Sequence, residues 1–377
     1  MKVAIAVHGR YHAFDLAAGL ARQGCDVQVA TTYPEFVARR WLSSGVALRT
    51  APLLEAWRRL HERLPVLALN PEPRLHVAFA KFAARTLPDR ADVFVGWSSA
   101  CLEAIEPARA RGMKVVVERG STHILHQKEL LEREHARLGL VPPSIHPTIM
   151  ARELAEYVAA DAIAVPTRYA AGTFIERGIP ESKLIVNPLG VDARRFGGAR
   201  TSHGGPPRVL FVGGVGVRKG VPRLLDVFAS LKGQAELRIV GRAEPGMEPI
   251  LAKAGARVRV LGALSGTDLA AEYRTADIFC LPSLEEGFGL VVAEAMAAGL
   301  PIVASDATAA IELVRPGVEG LTFPAGDDVG LKDALETMIA DKPGREAMGA
   351  AARERIGEFT WDATAARAVA AYRRLIG

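Results

Sequence analysis

The chain is poor in cysteine and in aromatic side chains: its 377 residues hold three cysteines, and Phe, Trp and Tyr together make up 6%. Cys25, Cys101 and Cys280 each lie in or beside an apolar stretch. Their number is odd and their spacing fits no zinc or redox pattern, so they read as small reduced core residues, the state a reducing cytoplasm maintains. Long apolar runs are missing too. No uninterrupted run reaches the ~18 residues a membrane span needs. The opening MKVAIAVHGRYH turns polar too soon for a secretory leader. A cytoplasmic chain is therefore expected.

Three sequence signatures are also missing. There is no Asp-x-Asp, a pair of acids spaced to share one metal ion. There is no P-loop, GxxxxGK followed by Ser or Thr. The dinucleotide fingerprint GxGxxG follows neither the first strand, where the sequence is Val7-His8-Gly9-Arg10-Tyr11-His12, nor the glycine run beginning at Gly213. The missing fingerprint argues against a nicotinamide-dependent dehydrogenase.

What is present is an α/β pattern with room for two domains at ~100–200 residues each. Residues 2–8 read as a buried strand, 13–23 as an amphipathic helix stopped by Gly24, and 26–30 as the next strand. Further strands are expected at 93–96, 115–118, 162–166 and 184–186. Strands that alternate with helices imply a doubly wound parallel sheet. From Asn187 to Pro207 the texture becomes rich in Gly, Pro and Arg. The pattern then restarts, with strands at 209–212, 237–240, 258–261, 278–281 and 302–304 and helices at 221–231, 246–254, 267–275 and 289–298. The expected organisation is an N-terminal domain over 1–187, a linker over 188–207 and a C-terminal domain over 208–359. An alanine-rich helix over 360–377 is expected to complete the first domain.

The net charge of +5 sits entirely in the first 160 residues, where 21 Lys and Arg face 16 Asp and Glu. It is densest from Arg39 to Arg63, among Trp41 and Trp57. Such a stretch fits either an anionic membrane surface or a solvated helix whose arginine stems cover apolar surface. No nucleic-acid motif accompanies it, so nucleic acid is not expected as a partner.

Two loops carry the chemistry. The first is Gly213-Gly214-Val215-Gly216-Val217-Arg218-Lys219-Gly220, between a strand and a helix. Glycines admit a ligand close to the backbone, a helix N-terminus attracts anions, and two adjacent cations suit a diphosphate. The second runs from Pro282 to Glu294, with Glu286 and Glu294 eight apart around Gly287-Phe288-Gly289-Leu290. A carboxylate accepts two hydroxyl hydrogen bonds, which suits vicinal diols. The bland alternative, acids that merely favour a helix start, is weak for Glu294 among Val292, Ala293, Ala295 and Met296.

This Glu-x7-Glu pattern, the Arg-Lys-Gly loop, Asn-Pro-Leu-Gly-Val-Asp at 187–192 and Phe359-Thr360-Trp361 together resemble the retaining glycosyltransferase family 4. The resemblance covers residues 160–365 well; the first domain resembles the family in architecture more than in motif. It implies the GT-B fold, two Rossmann-like doubly wound parallel-sheet domains facing across a cleft. It further implies a nucleotide diphosphate sugar as donor substrate, no cofactor and no metal, and a glycan or lipid-linked acceptor. Arg218 and Lys219 would hold the diphosphate, Glu286 the sugar hydroxyls and Glu294 the ribose. Gly214, Val215, Gly216, Gly241, Leu264, Gly287, Phe288, Gly289, Leu290 and Val291 would line the donor. In the first domain a histidine that touches the transferred sugar is expected near Glu118-Arg119-Gly120-Ser121-Thr122-His123. Here the usual His-Gly position holds Arg119-Gly120, which leaves Arg119 and His123 as candidates. His8, Gly9, Arg10 and His12 are acceptor-side candidates. The resemblance also points to cell-surface polysaccharide or glycolipid synthesis at the inner face of the plasma membrane. A non-catalytic nucleotide-sugar-binding protein and a sugar epimerase of the same fold are the competing readings.

Overall fold

A computed structural model describes residues 1–63, 71–232 and 234–377, with Glu62 and Arg63 described by their backbone alone. The last acid and arginine of the basic stretch thus lie outside the described side chains. The chain forms two parallel sheets. The first contains β1 (Lys2–Val7), β2 (Asp26–Thr31), β3 (Ala47–Thr50), β4 (Val93–Trp97), β5 (Lys114–Glu118), β6 (Ala162–Val165) and β7 (Leu184–Val186), in the order β3-β2-β1-β4-β5-β6-β7. The second contains β8 (Arg208–Val212), β9 (Glu236–Val240), β10 (Val258–Gly262), β11 (Ile278–Leu281), β12 (Ile302–Ser305) and β13 (Gly320–Phe323), in the order β10-β9-β8-β11-β12-β13. Both are doubly wound, and each reverses its winding beside its first strand, between β1 and β4 and between β8 and β11.

The strands read as apolar runs because both faces of each sheet are covered. In β1 the alternation of side chains divides the residues between two cores. Val3, Ile5 and Val7 join one with the helix Ala13–Arg22, while Ala4 and Ala6 join another with Phe79, Phe94 and Ile105. The second domain has a single continuous core that includes Leu210, Phe211, Phe279 and Met296.

The C-terminal helix Trp361–Ile376 leaves the second domain and packs on the first. Ala365, Ala368, Val369 and Tyr372 are buried in the core with Phe14 and Leu20, and Arg22 Nε lies 2.6 Å from Asp362. The stretch after β7 is less free than its composition implies. Leu189, Val191 and Phe196 are buried, a short helix spans Ala193–Phe196, and Val191 N donates to Phe359 O at 2.9 Å. The helix expected over 246–254 is one turn, Glu248–Leu251, because Pro249 fixes a start and Gly255 follows soon after.

Candidate functional site

The loop after β8 and the loop after β11 meet at the carboxyl ends of adjacent strands, beside the switch point of the second sheet. Open α/β sheets bind ligands in that crevice. The first loop is closed against the start of the next one: Gly213 N donates to Val240 O, Val215 N to Arg242 O and Glu244 N to Val215 O, at 2.9, 2.9 and 3.0 Å. Val215 is fully buried, with its N and O both bonded to the neighbouring loop, so it fixes the shape of the glycine loop. Gly241 packs directly on the carbonyl of Gly213.

Arg218 and Lys219 point into this crevice and face carboxylates. Arg218 Nη1 lies 3.5 Å from Glu285 Oε2 and 3.5 Å from Glu286 Oε1, and Lys219 Nζ pairs with Glu286 Oε2. Lys219 and Glu286 are both buried. A third carboxylate lies against the glycine loop. A Cβ placed on Gly216 would sit 1.8 Å from Glu244 Oε2, so the Glu244 carboxylate rests directly on that α-carbon. The crevice therefore holds two cations among three carboxylates.

Glu294 lies in the second turn of the helix Leu290–Ala297, on its partly exposed side. Tyr273 OH donates to its Oε2 at 3.0 Å. Burial raises the Glu294 pKa, while this hydrogen bond and Arg195 oppose the rise. Phe288 is buried in the core, Leu290 is partly exposed at the helix start, and Gly287, Gly289 and Val291 share that turn. Leu264, beyond β10, packs half-buried against the same core.

Sequence reasoning missed Glu285, which fastens the two domains. It is wholly buried, and its Oε1 accepts from Ser121 Oγ at 2.7 Å and Thr122 Oγ1 at 2.8 Å, while its Oε2 accepts from Gln127 Nε2 at 3.1 Å. Burial by itself would raise its pKa. Arg218 and these three side chains outweigh burial and hold the carboxyl below the usual range. Next to it Gly287 touches the other domain: a Cβ there would lie 1.8 Å from Gly120 O, so only glycine permits the approach. Thr167 Oγ1 donates to Gly287 O at 3.1 Å, and Arg223 Nη2 lies 3.0 Å from Glu134 Oε2 across the same seam. Nothing in the sequence distinguishes Glu285 from a solvated neighbour of Glu286; only the approach of the first domain does.

The first-domain candidates divide. Arg119 is buried and held by Glu153 Oε1 at 2.9 Å, Thr122 O at 3.0 Å and Gln127 Oε1 at 3.3 Å, so it braces the 119–122 loop. His123 is buried between Tyr157 and Phe174, and its Nδ1 accepts from Leu125 N at 3.2 Å to cap the helix Ile124–Arg137. Burial first, with Arg177 and Arg119 adding, lowers its pKa to about 4. His123 is thus a neutral packing and capping side chain. His12 lies closer to the seam, on Trp97 at 5.0 Å, 3.5 Å from Glu118 Oε2 and beside Gly120. Arg10 stacks on Trp41 at 4.5 Å and reaches Asp15 at 3.2 Å. Gly9 is tied to Thr31 and Thr32 at the end of β2. His8 meets His76 edge to face at 4.9 Å, and burial lowers their pKa values to about 4 and about 3. His8 Nε2 and His76 Nδ1 have no hydrogen-bond partner among the described residues.

Two Rossmann-like domains with cations, acids and a glycine loop at the second switch point define a two-domain α/β protein with a charged crevice at the carboxyl ends of its second sheet. The family model described as Glycosyltransferase Family 4 matches residues 10–195, and that described as Glycosyl transferases group 1 matches residues 206–341. The chain belongs to this glycosyltransferase family. A phosphatidyl-myo-inositol mannosyltransferase of Mycobacterium leprae is 35% identical over 202 residues, 51% of this chain and 54% of the relative. A D-inositol 3-phosphate glycosyltransferase of Xylanimonas cellulosilytica is 27% identical over 96% of this chain and 90% of its own length. The chain spans about half the length of the first curated relatives it matches. Among solved structures, HepE of Anabaena in complex with UDP and glucose aligns with a TM-score of 0.66 at 17% identity, covering 99% of this chain and 100% of that one. WaaG, a glycosyltransferase involved in lipopolysaccharide biosynthesis, aligns with a TM-score of 0.67 at 17% identity, covering 98% and 99%. The fold is GT-B.

Proposed function

We propose that the chain transfers a hexose from a nucleotide diphosphate sugar to an acceptor, with retention at the anomeric carbon and without a metal ion. The observation that carries this reading is the convergence of Arg218, Lys219 and Glu286 on the switch-point crevice. The leaving diphosphate develops charge that must be neutralised, and two fixed cations at a glycine loop supply that neutralisation. The sequence has no Asp-x-Asp to hold a metal there. Glu286 would exchange Lys219 for sugar hydroxyls when the donor arrives, and Glu294 would take the ribose. Attack on the donor's own face, with the leaving phosphate receiving the acceptor proton, fits a crevice whose carboxylates Glu285 and Glu286 are engaged by Arg218 and Lys219.

A lipid-linked or cell-surface glycan acceptor, met at the inner face of the plasma membrane, fits both the names of the relatives and the surface of the first domain. The helix Pro52–Arg63 exposes Leu53, Trp57 and Leu60 on one face, with Arg58 and Arg59 beside them. That arrangement suits an anionic bilayer surface. No described helix is long and apolar enough to cross a membrane.

The test combines a thermal-shift panel of UDP, GDP, ADP and their sugar conjugates, with and without EDTA, with a transfer assay. One nucleotide diphosphate is expected to raise the melting temperature of the wild type regardless of EDTA, and Glu294→Ala to lose that shift. Arg218→Ala is expected to slow transfer ~10²–10³-fold. Binding without turnover on any acceptor would favour the non-catalytic sugar-nucleotide-binding reading, and inversion of the donor sugar without transfer would favour an epimerase.

A further inference from the structure

A cavity outside the cleft lies on the opposite edge of the second sheet. It encloses about 760 Å³ between residues 200–205 of the linker and one face of the helix Lys342–Arg355. Its floor is the amino ends of three strands: Pro207 precedes β8, Asp277 precedes β11 and Gly299 precedes β12. The donor loops leave the carboxyl ends of the same sheet. With four residues in β11 and ~3.3 Å per residue, the two sites are at least about 13 Å apart. The volume is that of a small-molecule site.

The charge of this cavity is unbalanced. Four cations line it, Arg200, Lys342, Arg345 and Arg353, against two carboxylates, Asp277 and Glu346. Asp277 is already committed, since it accepts from His203 Nε2 and from Arg208 N, both at 2.8 Å. Glu346 is largely exposed and 3.9 Å from Lys342. Main-chain carbonyls hold all three guanidinium groups, and of the three Arg200 also has an acid beside it, its Nη2 3.8 Å from Asp277 Oδ1. Arg200 Nη1 donates to Gly299 O at 3.0 Å, Arg345 Nη1 to Met338 O at 2.6 Å and Ile339 O at 2.8 Å, and Arg353 Nη2 to Gly198 O and Ala298 O, both at 2.9 Å. Carbonyls fix the geometry of a guanidinium and leave its charge uncancelled. Burial lowers the pKa of Arg200, and Arg353 and Arg345 push the same way against Asp277 and Glu346. A cluster of pre-positioned cations in a cavity of this size is complementary to an oxyanion.

We infer that this cavity is a second ligand site, for a phosphate-bearing small molecule, distinct from the donor cleft. Its position gives the ligand leverage on the linker. One wall is the segment that leads from the first domain, and Arg353 ties the helix that leads back toward it to Gly198 of that same segment. A bound phosphate replaces the missing negative charge and fastens linker to helix. The inference does not depend on the transfer reaction.

Titration calorimetry of the full chain with inorganic pyrophosphate tests it. Arg218→Ala removes the contribution of the cleft, and Arg200→Gln combined with Lys342→Gln removes that of the cavity. A component that survives Arg218→Ala, has a Kd below about 1 mM and weakens at least about tenfold in the double variant is expected. Lys342→Gln alone alters an exposed side chain, so it should keep the wild-type melting temperature and still weaken binding a few-fold. Loss of all binding in Arg218→Ala, or identical binding in the wild type and the double variant, would overturn the site. Flotation with phosphatidylglycerol vesicles separates the sources of the phosphate. Flotation that pyrophosphate competes away, and that the double variant loses, assigns a lipid headgroup; pyrophosphate binding without such competition assigns a soluble phosphate ester.

Discussion

At the scale of single residues, the crevice is organised by charges that a donor must rearrange. Glu244 rests on Gly216, where a diphosphate would approach the loop, and adds a third negative charge beside Arg218 and Lys219. Removing that charge while keeping the side-chain shape should help an anionic ligand. Glu244→Gln is expected to tighten binding of the preferred nucleoside diphosphate several-fold, about 1 kcal/mol, measured by calorimetry at low salt. Unchanged or weaker binding would mean that the carboxylate itself holds the ligand. His123 presents the converse case, a titratable side chain used for structure. His123→Asn keeps an oxygen that can accept from Leu125 N, and Asn is among the preferred N-cap residues. Transfer activity is expected to stay within about threefold of wild type; a loss of about a hundredfold, the scale of a lost acid–base group, would return His123 to the catalytic set. The sequence made Arg218, Lys219, Glu286 and Glu294 legible because loop, glycine spacing and helix start are local patterns. Glu244 and Glu285 were not legible, because their roles come from chain segments distant in sequence.

At the scale of elements, the strands were read closely because fully buried parallel strands are uninterrupted apolar runs. Two of the four sheet-edge strands, β3 and β13, were missed, while β7 and β10 at the opposite edges were read. In β3 no residue is fully buried and Arg49 and Thr50 break the apolar run, and β13 opens on a glycine and holds Thr322. The C-terminal helix was legible as a helix, but its partner was not. Its apolar face is specific for the first domain, with Tyr372 fully buried in a core that includes Phe14, Leu16 and Leu20, more than 300 positions earlier. Tyr372→Ala should therefore destabilise the N-terminal domain by ~3 kcal/mol even though it lies near the end of the chain. Hydrogen exchange checks this directly. Protection should fall in β1, β2 and the helix Ala13–Arg22 and persist in β8 and β11; equal loss in both domains, or in the second alone, would contradict the assignment.

At the scale of the molecule, buried titratable groups set how stability responds to acid. His8, His76 and His123 are held neutral, with pKa values of about 4, 3 and 4 against 6.5 for a free histidine. As the pH falls from 6.5 toward 4 the unfolded chain takes up protons that the folded chain refuses, so their contribution to stability is lost over that window. Glu156 opposes them. Burial raises its carboxyl to about 7, so between 4.5 and 7 the folded chain keeps a proton that the unfolded chain releases. Three protons against one leave a net uptake on unfolding on the order of two protons near pH 5.5. Stability should then fall by roughly 3 kcal/mol per pH unit on acidification. Urea unfolding at several pH values measures the slope, and His123→Asn should reduce it by about 1.4 kcal/mol per unit. A slope unchanged by that substitution would place the missing protons elsewhere.

The two domains also meet through a single wholly buried acid, and this makes Glu285 the point where closure and chemistry are coupled. Its carboxylate fastens Ser121, Thr122 and Gln127 of the first domain and at the same time faces Arg218 of the second. Glu285→Gln retains the shape and one acceptor oxygen but removes the charge. Glu285→Ala removes the fastening and leaves the buried Thr122 hydroxyl and the half-buried Ser121 hydroxyl without this acceptor, while Gln127 Nε2 keeps Ser121 Oγ at 3.3 Å; the Thr122 loss costs ~1–3 kcal/mol if water does not reach it. The domains should relieve that cost by opening, because hydration of the seam is the available alternative. A larger radius of gyration by small-angle scattering is therefore expected for Glu285→Ala, together with a lower kcat and a nucleotide affinity near that of wild type, since the diphosphate cradle of Arg218 and Lys219 stays in one domain. Glu285→Gln should remain compact. If the alanine variant stays as compact as the wild type while nucleotide binding fails, Glu285 serves the cradle alone, and the domains are fastened by other contacts, among them Gly287, the Arg223–Glu134 pair and the Arg168–Glu312 pair.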